Sequence, residues 1–198
     1  MTFPGRLVVA SRNAGKIREI RRICADWPVE WLTSQDLDWP DVEETEDTYL
    51  GNASLKARAV AEATGIAALA DDSGIEVDAL GGAPGPRSAR YAGEGASDER
   101  NLAALLGALA GIPSGGRTAR YRAVAAVAWP RRDDVVWAEA ACEGTLLGKP
   151  RGEGGFGYDP AFLPEGWDRT MAELEPAEKD RISHRGRSLR ALRERLSE

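Results

Sequence analysis

The stretch that most limits what this chain can fold into is AALADDSG, residues 67–74. Ala67–Ala70 form an apolar run suited to a strand inside a sheet, yet they lead straight into Asp71 and Asp72, then Ser73 and Gly74. The run predicts a strand over 66–71 that ends on two adjacent carboxylates. Successive side chains of a strand point to opposite faces, so an extended Asp71–Asp72 pair does two separate jobs and does not form one bidentate group. A carboxylate at a strand end suits Mg²⁺, a hard cation that takes oxygen ligands and keeps several waters. The plainer alternative is a strand-terminating turn, since Asp, Ser and Gly are all turn residues.

The rest of the chain alternates strand-like and helix-like segments without a strict order. Residues 7–10 read as a first strand and SRNAG as a polar loop, and KIREIRRICADW carries Ile17, Ile20, Ile23 and Cys24 at helical spacing. Residues 29–32 suit a second strand, and the acidic stretch after it, with Pro40, a loop. A helix over NASLKARAVAEATG has Asp47 or Thr48 as its N-cap and Gly65 as its stop. Residues 81–96 are rich in Gly and Pro and irregular, whereas 97–110 suit a helix capped by Ser97. Two long strand-like runs split by PRRDD predict a hairpin, and a last helix follows Ser183. This pattern predicts an α/β protein: a mixed twisted sheet flanked by helices, in two lobes with a central substrate cleft, forming one domain over 1–198.

At 198 residues with 42% hydrophobic and 29% charged residues, the chain has the composition of an ordinary globular protein. A net charge of −6 disfavours a broad nucleic-acid-binding face, which needs excess positive charge against backbone phosphates. It leaves room for a local cluster of cations around a small anion. Only two cysteines are present, Cys24 and Cys142, without motif spacing, and the apolar run near the N-terminus is far too short for a signal peptide or membrane span. A cytoplasmic protein without a membrane partner is expected. Of 26 basic residues only four are lysines, at 16, 56, 149 and 179, so each retained lysine is of interest.

Several segments carry possible chemistry. Ser11, Arg12, Asn13, Ala14, Gly15 and Lys16 form a strand–loop–helix junction of the kind that cradles phosphate through backbone N–H groups, a helix N-terminus and an ammonium. It is not a Walker A loop, which needs Gly at Ala10 and Ser or Thr at Ile17. An ordinary strand–helix turn explains it equally well. Glu43 and Glu44 add carboxylates before a helix, and Asn52 and Lys56, four apart, share one helical face. Phe156, Gly157, Tyr158 and Asp159 lie in a glycine-rich loop whose aromatics either stack a base or close a core. The only histidine, His184, precedes Arg185 at the start of the last helix.

The order SRNAGK, EET, NASLKA, ADDSGIEVDALGGAPGPRSARY, GGFGYDP and EKDRISHRG resembles the Ham1/inosine triphosphatase family over nearly the whole chain. The family's first loop usually reads Thr-Gly-Asn where Ser11-Arg12-Asn13 stand here, so Arg12 either changes that loop's geometry or adds a phosphate contact. The resemblance implies a homodimer that hydrolyses ITP, dITP and XTP to the monophosphate and pyrophosphate with Mg²⁺, for which Mn²⁺ can substitute. By motif, Lys16 with its loop and Lys56 hold the triphosphate. Asp72 is the catalytic carboxylate and shares the metal with Glu44, or with its rival Glu43. Ser73, the 156–159 loop, Lys179, His184 and Arg185 surround the substrate, with His184 and Arg185 as donors to the 6-keto oxygen of the base. A catalytically idle nucleotide-binding protein and a Maf-like pyrophosphatase acting on other nucleotides are the competing readings.

Overall fold

The computed structural model describes residues 3–198. Six strands form one sheet in the order β2-β1-β3-β4-β5-β6: β1 is Arg6–Val9, β2 Glu30–Leu32, β3 Ala68–Val77, β4 Thr118–Ala128, β5 Val135–Leu146 and β6 Phe162–Pro164. β1 pairs in parallel with both β2 and β3, and β5 pairs antiparallel with β6, so the sheet is mixed as expected. The helices are α1 (Ala14–Ile23), α2 (Tyr49–Thr64), α3 (Asp98–Ala108), α4 (Pro176–Ile182) and α5 (His184–Ser197). The chain divides into two compact units. One comprises Met1–Asp72, Ala123–Ala140 and Arg185–Glu198, and the other Ser73–Arg122 and Ala141–His184.

In the first unit the sheet is covered on both faces, and the alternation of side chains decides what each face meets. Leu7 and Val9 of β1 and Leu69 of β3 pack with Ile20 of α1 and Leu189, Leu192 and Leu196 of α5. The intervening Val8, Ala68 and Ala70 pack with Ala57, Val60 and Ala61 of α2. Small residues at Ala53, Ala57 and Ala61, each four apart, make a flat helix face suited to close contact with a sheet surface of alanines. Thr48, not Asp47, caps α2 by accepting from the Gly51 N–H at 3.0 Å. Gly65 ends it in the left-handed conformation at φ 66°, where a Cβ is unfavourable.

One expectation is corrected. β3 does not stop at Asp71 but continues through Asp72 and Ser73 to Val77. The turn-forming character of Asp, Ser and Gly is overridden because pairing and burial hold the backbone extended; Asp71 and Asp72 are 2% and 3% exposed. The carboxylates therefore sit inside a strand, and the alternation that begins in the apolar run passes directly into them.

In the second unit, Ile75 and Val77 of β3, Ala119 and Tyr121 of β4, Cys142 and Leu146 of β5, Phe162 of β6 and Leu102, Leu105 and Leu109 from the α3 region share one core. The short β6 was not foreseen in the sequence. It pairs Gly144 with Pro164, and a Cβ at Gly144 falls 2.7 Å from the Phe162 ring and onto the Leu163 carbonyl oxygen. A strand glycine here marks close backbone approach. Gly144→Ala is therefore expected to lower stability by about 1–3 kcal/mol through overpacking at the β5–β6 contact. A denaturation midpoint equal to wild type refutes that reading.

Candidate active site

The side-chain alternation of β3 sends Asp71 toward the α1/α5 face, in phase with Leu69, and Asp72 toward the α2 face, in phase with Ala68 and Ala70. The polar contacts follow this division. On the first face, Asp71 Oδ1 accepts from Lys16 Nζ at 3.0 Å and from Arg185 Nη2 at 2.9 Å. Arg185 Nη1 in turn donates to Glu19 Oε2 at 2.6 Å. Two carboxylates and two cations thus alternate in a chain from Glu19 through Arg185 and Asp71 to Lys16. The Arg185 and Asp71 side chains are essentially closed to solvent, whereas Lys16, 17% exposed, is the open end.

Burial pushes the Asp71 carboxyl upward, but the charges of Arg185 and Lys16 and their hydrogen bonds outweigh it and hold Asp71 well below the usual carboxylate range. Burial likewise works against the Arg185 charge, and Asp71 and Glu19 more than restore it. Sequence reasoning missed Glu19; its place four positions from Ile23 in an otherwise regular helix gave it the look of a solvated charge, yet it is 6% exposed. Arg185, expected to donate to a purine base, bonds carboxylates of its own unit through both terminal nitrogens of its guanidinium, in a position 2% exposed.

On the opposite face, Asn52 Nδ2 donates to Asp72 Oδ2 at 3.2 Å and Lys56 Nζ lies 3.6 Å from Asp72 Oδ1. Lys56 bonds Glu44 Oε1 more tightly, at 2.6 Å, and also donates to the Asp71 carbonyl at 3.1 Å. Because Glu44 holds Lys56 more closely than Asp72 does, the Asp72 charge is only partly compensated. Burial pushes the Asp72 carboxyl up, against the pull of Lys56 and Lys16, with Glu44 and Asp71 adding to the rise. For Lys56, burial pulls the ammonium down, but Asp72, Glu44 and Asp71 together keep it above its ordinary value. Glu44, not the exposed Glu43, is the acid brought to this face. The shared helical face of Asn52 and Lys56 is thus turned onto Asp72, with Asn52 fully buried.

The loop before α1 leads into a capped helix N-terminus. The Asn13 side chain caps the helix by accepting from the Lys16 N–H at 3.0 Å, and Ser11 Oγ accepts from the Asn13 N–H at 3.2 Å. Ala14 and Gly15 fill the first turn with small side chains, and Lys16 Nζ reaches back to the Asp71 carbonyl at 3.3 Å. Arg12 turns away from this turn and pairs with Asp41 and the Trp39 carbonyl, which ties the acidic loop down.

In the second unit, Asp159 is the hub of the glycine-rich loop. Its Oδ2 accepts from Lys179 Nζ at 2.6 Å and from the Phe156 N–H at 2.9 Å, and its Oδ1 from the Tyr121 hydroxyl at 3.2 Å. A Cβ on Gly155, at φ +72°, falls 2.9 Å from Asp159 Cγ, so only glycine permits this closure. Lys179 sits 4.9 Å above the Phe156 ring. Gly157 donates its N–H to Asp98 at 2.8 Å. Tyr158 is a core side chain, 4% exposed, whose hydroxyl donates to the Ser88 carbonyl at 2.7 Å; of the two loop aromatics it is the one that closes the core. His184 stacks on Tyr121 with ring centroids 4.5 Å apart and planes 8° apart. Ser73 lies half-buried in β3 immediately after Asp72.

The alternation predicts different losses for the two acids. Asp71→Asn leaves Arg185 short of a charge partner in a buried place, which costs about 3–5 kcal/mol. Because the folded-state pKa of Asp71 is depressed, its stabilisation is fully present above the unfolded value of about 3.9 and fades as pH falls below it. The stability gap between wild type and Asp71→Asn, measured by denaturant unfolding, should therefore narrow below about pH 4. A gap constant from neutral pH down to strong acid shows that Asp71 contributes no charge interaction.

Comparison with known proteins identifies the family. The Ham1 family model matches residues 7–195. A dITP/XTP pyrophosphatase of Geobacillus kaustophilus is 51% identical over 194 residues, covering 97% of this chain and 94% of the relative. One of Streptomyces coelicolor is 50% identical over 190 residues, covering 94% of each. Among solved structures, a HAM1 protein from Coxiella burnetii superposes with a TM-score of 0.87 at 38% identity, covering 100% of this chain and 99% of that one. With β3 carrying its two acids between Lys16 and Lys56, and with matches along almost its full length, this chain belongs to the Ham1 family.

Proposed function

We propose that this chain hydrolyses the non-standard purine nucleoside triphosphates dITP, ITP and XTP to nucleoside monophosphate and pyrophosphate, clearing them from the nucleotide pool. The observation that carries the reading is the placement of Asp71 and Asp72 on opposite faces of β3, each within reach of a different lysine. The full-length relatives named dITP/XTP pyrophosphatase support the same substrate class.

Lys16, at the open end of its charge chain, and Lys56 neutralise the triphosphate, aided by the N–H groups of the Ser11–Lys16 turn. Arg185 remains on Asp71 when Lys16 leaves for phosphate, so the handover strands no buried charge. Asp72, with its carboxyl raised by burial and steadied by Asn52, accepts or orients the proton of the attacking water. Water adds to the α-phosphorus, the bond from that phosphorus to the α–β bridging oxygen breaks, and pyrophosphate leaves with the electron pair.

Asp72 and Glu44 fit a divalent metal, Mg²⁺ or Mn²⁺. Two hard carboxylates flank a single ammonium at 3.6 and 2.6 Å, so the place already suits a cation. Among the described residues no three His, Cys, Asp or Glu side chains converge, which agrees with Mg²⁺, an ion that takes one or two carboxylates and completes its shell with waters and phosphates. The metal supplies neutralisation of charge developing on the phosphate oxygens.

Phe156, Lys179, His184 and Ser73 form the base-side set of this reading, with the 157–159 backbone in support. A homodimer acting in the cytoplasm, with residues 1–198 as one functional domain, completes it. Its two buried cysteines form no disulfide, which suits a reducing compartment. Among the described residues no helix is long and apolar enough to cross a membrane.

The test is a panel of ITP, XTP, dITP, GTP and ATP with Mg²⁺, scored for pyrophosphate against orthophosphate. Pyrophosphate is expected from the first three, with turnover abolished by chelator. Asp72→Asn should lose at least about 10²-fold in kcat while still binding substrate. Lys16→Ala should depress kcat/KM for every triphosphate by a similar factor, because phosphate is common to all of them. Orthophosphate and a nucleoside diphosphate as products rule out α–β cleavage, and binding without turnover points to an idle nucleotide-binding protein.

A further inference from the structure

We propose that Tyr121 of β4 is a positioning residue for base recognition. It fixes the plane of the His184 imidazole and ties that ring, through Asp159, to the loop that carries Phe156 and Lys179. This inference rests on the function proposed above and extends it to a residue outside every motif that marks the family in this sequence.

Tyr121 lies on the inward-facing register of β4 between the buried Ala119 and Ala123, and is 7% exposed. Its ring has two aromatic neighbours of different geometry. Phe162 meets it tilted at 57° with centroids 4.7 Å apart, a packing contact of the core. His184 lies flat against it, 8° from parallel at 4.5 Å. A near-parallel stack of this kind restricts rotation of the imidazole about its last side-chain bond. The N–H groups of an imidazole donate within the plane of the ring, so the partner that fixes the plane also fixes the donor direction.

The far end of the same side chain is held as firmly. The Tyr121 hydroxyl donates to Asp159 Oδ1, and the other oxygen of Asp159 holds Lys179 and the Phe156 amide. Tyr121 thus spans the distance from the histidine to the loop, with its face on one and its tip on the other. Two independent tethers on one buried side chain exceed what filling core volume requires; a leucine fills a core but supplies neither tether. A donor direction held to a few degrees is what lets a site tell a keto acceptor from an amino donor, since the mismatched base leaves a polar group unpaired.

His184 is the only histidine in the chain, so its ring protons give an unambiguous NMR signature. In the wild-type protein they should resonate upfield of free histidine, shifted by the Tyr121 ring current. Tyr121→Phe keeps the face and loses the Asp159 tether; it should retain the upfield shift and lower the ITP-to-ATP ratio of kcat/KM about threefold, the effect of one lost hydrogen bond. Tyr121→Leu should lose the shift and lower that ratio about tenfold or more, with the KM for ATP little changed. Unshifted ring protons in wild type overturn the proposal, as does a wild-type ratio in Tyr121→Phe. A cooperatively folded Tyr121→Leu with the wild-type ratio overturns it equally. The Tyr121→Phe arm stands alone if the leucine variant does not fold. A wild-type protein that makes no pyrophosphate from ITP refutes the proposed function instead, an outcome read before any variant is compared.

Discussion

The ionic contact of Arg185 with Asp71 is the one on which the buried charges of the first unit depend. A strand that carries two neighbouring carboxylates into a buried sheet is unstable unless each charge finds a partner, because an uncompensated buried carboxylate is far costlier than an exposed one. Arg185 meets that requirement for Asp71, and Glu19 keeps the arginine from being a surplus charge in its turn. With Arg185 holding Asp71 from behind, the carboxylate keeps a charge partner even when Lys16 turns away. Asp72, on the other face, is left with partial compensation by Lys56, which suits it to be the reactive member of the pair in the proposed function.

Two faces of one strand therefore separate holding from reacting. The division needs no special loop. It follows from the period of two along β3, from α1 and α5 covering one face, and from α2 covering the other. A site built this way sits on rigid elements, which suits chemistry that depends on the placement of charge more than on covalent steps.

Much of this was legible in the chain. The alternation predicted that Asp71 and Asp72 serve different partners, and the four-residue spacing of Asn52 and Lys56 predicted a shared face. The helix ends at Ser97, Gly65 and Ser183 stood out because capping is local chemistry. What escaped notice depended on distant contacts. β3 was expected to end at Asp71 because turn propensity is read from neighbours, whereas its extension to Val77 is imposed by pairing and burial. β6 is three residues long, too short to show a period. Glu19 looked like any charged residue on a helix, since its partner Arg185 lies 166 positions away. Arg185 reads from its neighbour His184 as a base contact, and its carboxylate partners Glu19 and Asp71 show only in the three-dimensional positions. Tyr121 had the pattern of a core strand residue, which it is; its second occupation is visible only in the plane of the ring it faces.

The distance between Glu19 and Arg185 also bears on how the protein comes into being. Synthesis proceeds from the N-terminus, so β1, α1, α2 and the two acids of β3 leave the ribosome long before the helix that carries their guanidinium. Throughout that interval Glu19 and Asp71 are carboxylates that must be buried side by side without the cation between them. Lys16, which reaches Asp71 but is the member of the group most open to water, is the cation already present by then. The charge chain of the first unit is complete only with the fourteen-residue helix α5. Burying the two acids before α5 supplies Arg185 is therefore electrostatically unfavourable.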